Sequence, residues 1–253
     1  MFKKLFLFSV LFLSVTYVSK AQNYNSYTEI GIMTGPVFLK PDFGERGDFE
    51  NFYKNNGFSI GAFYYVSSVE DYTRLREHFK LRLEISYFKC DLKHYGIYVA
   101  PEETSVFANQ LRGMRGSTKS TNFGFQIEYY PFKTDDYNRG GDFSPYISLG
   151  SQVSSVSTKI YSFLGPLTNP AVIPTKYKDA YKNESGQIIG SITSSIGTRY
   201  RLADYHSLIF DARLQYFFSD WVDGLNPDRT IYKENKYNDW SVTFNVGYVY
   251  YFN

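Results

Sequence analysis

The chain has 253 residues, 43% of them hydrophobic and 20% aromatic, with a formal net charge of +2. After the first twenty residues it never sustains the run of roughly 18 apolar residues that a membrane helix needs, so a helical membrane protein is excluded. Its single Cys excludes an internal disulfide framework, a Cys-ligated metal site and a dithiol redox pair, while 25 Tyr and 23 Phe against 2 Trp and 3 Met favour strands over helices.

Residues 1–21 read as a secretory signal: Lys3 and Lys4, an apolar stretch from Leu5 to Val18, then Ser19-Lys20-Ala21 before Gln22. Cleavage is expected after Ala21, leaving 22–253 as one domain. No Cys follows the apolar stretch, so no lipid anchor is expected there. Removing Lys3, Lys4 and Lys20 from the 27 basic residues leaves 24 against 25 acidic ones, a formal charge of −1. Neither that balance nor its mixed distribution along the chain suggests nucleic acid as a partner.

The remainder alternates apolar and polar residues in eight segments, because successive side chains of a strand point to opposite faces. In chain order they cover Thr28–Thr34, Phe58–Tyr64, Phe79–Tyr87, Asn122–Tyr129, Pro145–Val153, Ile188–Tyr200, Leu208–Phe218 and Ser241–Phe252. Several reach the nine to eleven residues or so that a tilted strand needs to cross a bilayer, against about five or six for an ordinary globular strand. Connections around 66–78, 131–143 and 202–206 are the shorter ones; 92–120, 156–186 and 219–239 are long and polar. Tyr64-Tyr65, Tyr129-Tyr130, Tyr200 and Tyr250-Tyr251-Phe252 fall at one boundary and read as an aromatic girdle. The expectation is an all-β, eight-stranded antiparallel up-and-down transmembrane β-barrel with long extracellular loops, a side-chain-filled interior and both termini in the periplasm. A soluble barrel with the same alternation turned inside out is the alternative. Strand length, aromatic strand ends and loop asymmetry oppose it.

With the polar faces turned inward, the lumen receives Glu29, Lys80, Arg82, Glu84, Glu128, Arg199, Asp211 and Arg213, four acidic and four basic. An eight-stranded barrel is only wide enough for its own side chains, and charges in such a space persist when paired, so these are expected to form a salt-bridged plug. Gly31, Gly61, Gly124, Gly150 and Gly197 are expected to leave room for the longer Arg and Glu chains.

The catalytic inventory is thin. Of three His, His78 and His206 fall in the predicted short turns, and His94 lies just above the third strand with Asp91 near it in sequence, a spacing that reads as a loop histidine. Cys90 reads as a packing residue. Pro41 to Glu50 clusters carboxylates but lacks the spacing of a dedicated calcium loop and reads as a solvated turn. No phosphate cradle or zinc spacing is present, so no enzyme, cofactor or metal is expected.

The stretches Tyr27–Gly35 (YTEIGIMTG), Asp42–Gly44, His78–Tyr87 (HFKLRLEISY) and Phe123–Pro131 (FGFQIEYYP), with the aromatic terminal strand, resemble the small outer-membrane barrels of Bacteroidota. Within that group the chain is similar to the PorG-like proteins, and the resemblance covers most of the mature chain. It implies an outer-membrane anchor for the periplasmic ring of the type IX secretion and gliding apparatus, with no catalytic residue to carry over. Through Tyr248, Tyr250 and Phe252 the last strand also looks like the signal read by barrel-assembly machinery. The expected partners are outer-membrane lipid, that machinery during biogenesis, and other envelope proteins or lipoproteins. The expected role is a non-enzymatic scaffold or accessory subunit in secretion, gliding or assembly. A stand-alone envelope-stabilising or surface-interaction barrel comes next, ahead of a lipid-modifying enzyme using His94 and a narrow channel.

Overall fold

The computed structural model describes residues 26–44, 48–68, 78–132, 143–235 and 237–252. The signal segment 1–21 and most of the connections 66–78 and 131–143 lie outside them. Eight strands form one closed antiparallel barrel in sequence order: β1 (Ser26–Lys40), β2 (Asn56–Ser68), β3 (Phe79–Lys93), β4 (Met114–Tyr129), β5 (Phe143–Ser162), β6 (Glu184–Ala203), β7 (His206–Phe217) and β8 (Trp240–Phe252). β8 closes against β1 from Thr28↔Phe252 to Lys40↔Trp240, so neither strand presents an open edge. At the end holding the termini, β6 turns into β7 through Asp204 and Tyr205, the latter at a φ of 65°.

The outer surface carries an apolar belt. Ile30 and Ile32 on β1, Phe58 and Ile60 on β2, Leu81, Leu83 and Ile85 on β3, Phe123, Phe125 and Ile127 on β4, Ile147 and Leu149 on β5, Ile192 and Ile196 on β6, Phe210 and Leu214 on β7, and Phe244 and Val246 on β8 are all exposed. Water would penalise so large a continuous apolar surface, whereas acyl chains do not. The molecule is a transmembrane β-barrel.

The strands run further than the alternation suggested. β5 and β6 have 20 residues each, and β4 starts at Met114 rather than near Asn122. Above the belt the pattern reverses its chemistry without breaking its geometry. On β3, Phe79, Leu81, Leu83, Ile85 and Tyr87 face out over Lys80, Arg82 and Glu84; the next outward residues are Lys89, Asp91 and Lys93, over buried Phe88, Cys90 and Leu92. β4 and β5 do the same, with Lys119 and Lys159 outward and Met114, Val156 and Ile160 inward. The upper barrel is therefore built like a water-soluble protein, around a core of Val37, Leu39, Phe88, Leu92, Met114, Val156, Ile160, Phe217 and Leu225. The inside-out arrangement set against the membrane reading on sequence grounds describes this upper half.

A cap of loops closes the top. Helix α1 (Phe49–Lys54) starts at Asp48, whose side chain accepts from Glu50 N, and is held down by Asn51, which exchanges two hydrogen bonds with the Tyr95 backbone at 2.9 and 3.1 Å. Helix α2 (Val106–Gly113), capped by Ser105, is tied to the β5–β6 loop through Gln110 Nε2, which donates to Ala171 O at 3.0 Å. Thr118 Oγ1 donates to Val222 O at 2.8 Å, joining β4 to the β7–β8 loop.

Candidate functional sites in the lumen and the cap

The eight charged side chains assigned to the lumen are all buried and form one connected network. Lys80 Nζ lies 2.9 Å from Glu29 Oε1, and Arg199 bonds the other oxygen of Glu29. Arg199 Nη2 reaches Glu128 at 3.5 Å, and Arg82 Nη1 lies 2.9 Å from the same carboxylate. Arg82 continues to Glu84 and Asp211, both at 3.5 Å, and Arg213 closes the chain by pairing with Glu84 and with Asp211 at 3.4 Å. Alternate positions on five different strands put these groups on one inner surface, and the opposite signs offset the cost of burying them.

Four tyrosines complete the network. Tyr65 and Tyr130 hydroxyls donate to Glu128 at 2.8 and 2.6 Å, Tyr146 donates to Asp211 at 2.8 Å, and the Arg199 guanidinium lies 4.2 Å from the Tyr65 ring centre. Tyr251 is buried beside them. The proposed girdle is corrected accordingly: Tyr64, Tyr129, Tyr200 and Tyr250 stay on the outer face with Tyr248 and Phe252, while Tyr65, Tyr130 and Tyr251 turn inward. Adjacent strand residues cannot share a face, so each Tyr-Tyr pair splits between lipid and lumen. The glycines are corrected too. A Cβ at Gly31 would lie 2.2 Å from the Phe63 ring and one at Gly197 2.4 Å from the Tyr146 ring, while Gly124 and Gly150 accommodate Gln152 and Gln126. At these four positions the nearest neighbours are rings, amide side chains and backbone carbonyls, and at Gly61 they are Ser86, the Ile85 carbonyl and Met33, not Arg or Glu.

In the cap, Asp42 is buried and so is no part of a solvated turn. It meets carboxylates from the β7–β8 loop: Asp42 N donates to Asp223 Oδ2 at 2.5 Å, and Asp42, Asp220 and Asp239 each bring an oxygen within 4.8 Å of the others. Among the described residues these three are the group that could hold a metal ion. Burial first, then neighbouring carboxylates, push Asp223 and Asp239 well above the usual carboxylate range. Sequence reasoning missed Asp220, Asp223 and Asp239, since nothing local distinguishes a carboxylate that folds inward from one left in water. Asp48 and Glu50 serve α1 instead, as its cap and as the partner of Lys54.

His94 is no loop histidine in water either. It is buried, its ring centre 4.8 Å from that of Phe43 and 5.4 Å from that of Tyr177 in tilted contacts, and its Nδ1 accepts from Gly44 N at 2.7 Å. Asp91 points outward to Lys89, so no His–Asp dyad forms. Burial, reinforced by the charges of Lys176 and Arg115, pushes the imidazole down to about 3. His94 lines a cavity of about 520 Å³ walled by Tyr95, Tyr98, Val99, Phe107, Leu111, Tyr177 and Tyr232, with Lys176 beside it. His78 and His206 lie at the opposite end, where the His206 ring packs at a tilt against Tyr248 and Tyr250 and His78 Nδ1 approaches Tyr130 O at 2.7 Å. Cys90 is buried in the upper core.

No protein-family model matches the chain, and no curated protein matches it. Among solved structures, the chain is similar to the attachment invasion locus protein Ail of Yersinia pestis (13% identity over 90% of this chain and 99% of that one, TM-score 0.43). It is also similar to a major outer membrane protein of Thermus thermophilus (13%, 90% and 100%, TM-score 0.47) and to the outer membrane protein OprG of Pseudomonas aeruginosa (13%, 89% and 96%, TM-score 0.41).

Proposed function

We propose that this chain is an outer-membrane barrel that neither transports nor catalyses, and that it serves as a scaffold or accessory subunit of an envelope complex through its cap and turns. The observation that carries this reading is the contrast between the two halves. The lumen is sealed by paired charges and tyrosines, while the far end is elaborated into a cross-braced structure with its own apolar core. A barrel needed only to sit in the membrane has no use for strands of 20 residues. Termini in the periplasm would set that cap outside the cell, and the outward aromatics Tyr248, Tyr250 and Phe252 of β8 would be presented to the assembly machinery. The resemblance of the strand motifs to PorG-like proteins supports secretion or gliding as the setting. Pull-down from native membranes in mild detergent, read by mass spectrometry, tests the role: a stable envelope protein or lipoprotein is expected to co-purify, and a barrel that always elutes alone overturns it. Planar bilayers are expected to show no conductance steps.

A second reading, a stand-alone surface-interaction barrel, is favoured by the position of the cap opposite the termini. Protease shaving of intact cells that removes adhesion, with no partner lost from the membrane, would select it.

A further inference from the structure

We propose that the outer wall of β3, β4 and β5 just above the apolar belt binds the anionic, phosphate-bearing headgroup of a membrane lipid. The register of the three strands builds the surface. Ile85, Phe123 and Val153 stand side by side in the belt and are exposed to lipid, and Tyr87 and Thr121 follow one outward step higher. The next outward step sets Lys89 directly against Lys119, and Lys119 against Ser157. Above them Asp91, Ser117 and Lys159 form a row, and Lys93 faces Arg115 in the row beyond. Five cations and one carboxylate therefore share this face.

Like charges directly opposite each other on neighbouring strands are destabilising, because their Cβ atoms stand only about 4.5–5.5 Å apart. The fold nevertheless sets Lys89 against Lys119 and Lys93 against Arg115. Asp91 answers Lys89 at 3.3 Å, and Arg115 donates to Met114 O at 2.7 Å, but among the described residues Lys93 and Lys119 have no ion pair. An anion from outside the chain completes the surface, and height decides which one. Two residues of strand rise about 6.6 Å, or about 5 Å along the membrane normal at a tilt of 35–45°. The headgroup layer on each side of the hydrocarbon is about 5–7 Å thick. Lys89 and Lys119 thus step from the belt into the layer that holds lipid phosphates, on a wall continuous with the one that meets acyl chains. Thr121 and Ser157 beside them are short and leave the ammoniums uncovered, and a compact charge on a flexible stem suits a mobile headgroup. The inference needs only the belt, so it holds whichever way the cap faces and whether or not a protein partner exists.

The mature chain, folded in a neutral detergent, is offered equal amounts of phosphatidylglycerol and zwitterionic phosphatidylcholine, and the lipids it retains are counted by native mass spectrometry. Each lysine beside an anionic headgroup favours it about fivefold, so the parent is expected to prefer phosphatidylglycerol by about tenfold or more. Lys89→Gln combined with Lys119→Gln is expected to lose most of that preference. Lys178→Gln combined with Lys233→Gln removes the same charge from exposed cap positions and is expected to keep it. Stability gives a second reading, whose sign a merely structural lysine does not reverse. Lys119→Gln relieves the cross-strand repulsion and is expected to raise the urea midpoint in phosphatidylcholine nanodiscs, yet to lower it relative to the parent once phosphatidylglycerol is included. The proposal is overturned if the parent shows no headgroup preference, if the cap variant loses it as fully as the Lys89 and Lys119 variant, if inorganic phosphate displaces phosphatidylcholine as well as phosphatidylglycerol does, or if Lys119→Gln moves the midpoint in the same direction in both membranes.

Discussion

Arg82 Nη1 lies 2.9 Å from Glu128 Oε1, and neither side chain has any contact with solvent. The same guanidinium also faces Glu84 and Asp211, so it is the cation through which three carboxylates of the lumen are held together. Arg82→Met removes that centre and leaves buried negative charge uncompensated, a loss of about 3–5 kcal/mol for a buried pair. Urea unfolding of the lipid-reconstituted protein, read by heat-modifiable gel mobility, is expected to show it. Arg82→Met combined with Glu128→Gln should be less destabilised than Arg82→Met alone. If the single variant unfolds like the parent, the network does not hold the barrel.

Tyr87 and Phe88 mark the level at which the barrel changes solvent: Tyr87 is the last apolar residue facing out on β3 and Phe88 the first facing in. The same substitution must therefore act through opposite faces on the two sides of that level. Leu83→Arg puts a charge into the lipid belt at a cost of about 2–4 kcal/mol near the bilayer centre, lowering the stability of the inserted barrel. Leu92→Arg instead places a charge in the upper core and is expected to open the cap while the membrane part stays folded. Trp221 and Trp240, the two tryptophans of the chain, both belong to the region from the β7–β8 loop to the first residue of β8, so their fluorescence reports the cap separately from gel mobility. Asp91→Leu, on the outer face at the same height, should stay within about 0.5 kcal/mol of the parent.

That change of level explains how much of the molecule the sequence discloses. Strand count, order and the choice of lumen residues follow from alternation, which needs no knowledge of neighbours. The belt segments Phe79–Tyr87 and Asn122–Tyr129 could be read because one solvent, lipid, selects one face throughout. The upper segments escaped because the apolar residues shift from odd to even positions between Tyr87 and Phe88, so a reading that follows one phase ends the strand there. A search for a second run in the opposite phase, Phe88-Cys90-Leu92 for example, would have found them. The meeting of Asp42 with Asp220, Asp223 and Asp239, and the burial of His94, depend on loops that converge only after the barrel closes. No local pattern encodes them.

Gly31 faces the lumen where an added Cβ would lie 2.2 Å from a Phe63 ring carbon and 2.7 Å from the Tyr248 carbonyl oxygen. Gly31→Ala is expected to destabilise the barrel by about 1–3 kcal/mol through overpacking. Removing the ring with Phe63→Leu relieves only the first of the two clashes, so the double variant should recover part of the loss and show a coupling of at least about 0.5 kcal/mol. Additive single effects would mean that the ring does not occupy the space left by the glycine.

His94 gives the cap a dependence on acid whose sign is fixed by its burial. Its imidazole sits at about 3 in the folded chain against an ordinary 6.5, so the folded state resists a proton that the unfolded loop accepts. The stability involved is complete above pH 6.5 and is lost as pH falls toward 3. At about 1.36 kcal/mol per unit, the loss reaches about 3 kcal/mol by about pH 4.5. Asp223 and Asp239 act the other way: their raised values favour the folded cap at acid pH and withdraw that support as pH rises above the usual carboxylate range. The two effects separate by difference. Trp fluorescence during urea titration is expected to show the parent cap weakening relative to His94→Phe as pH drops from about 7 to about 4.5, while both share the carboxylate contribution. A pH-independent gap between the two proteins would show that the histidine accepts its proton in place, without opening the cap.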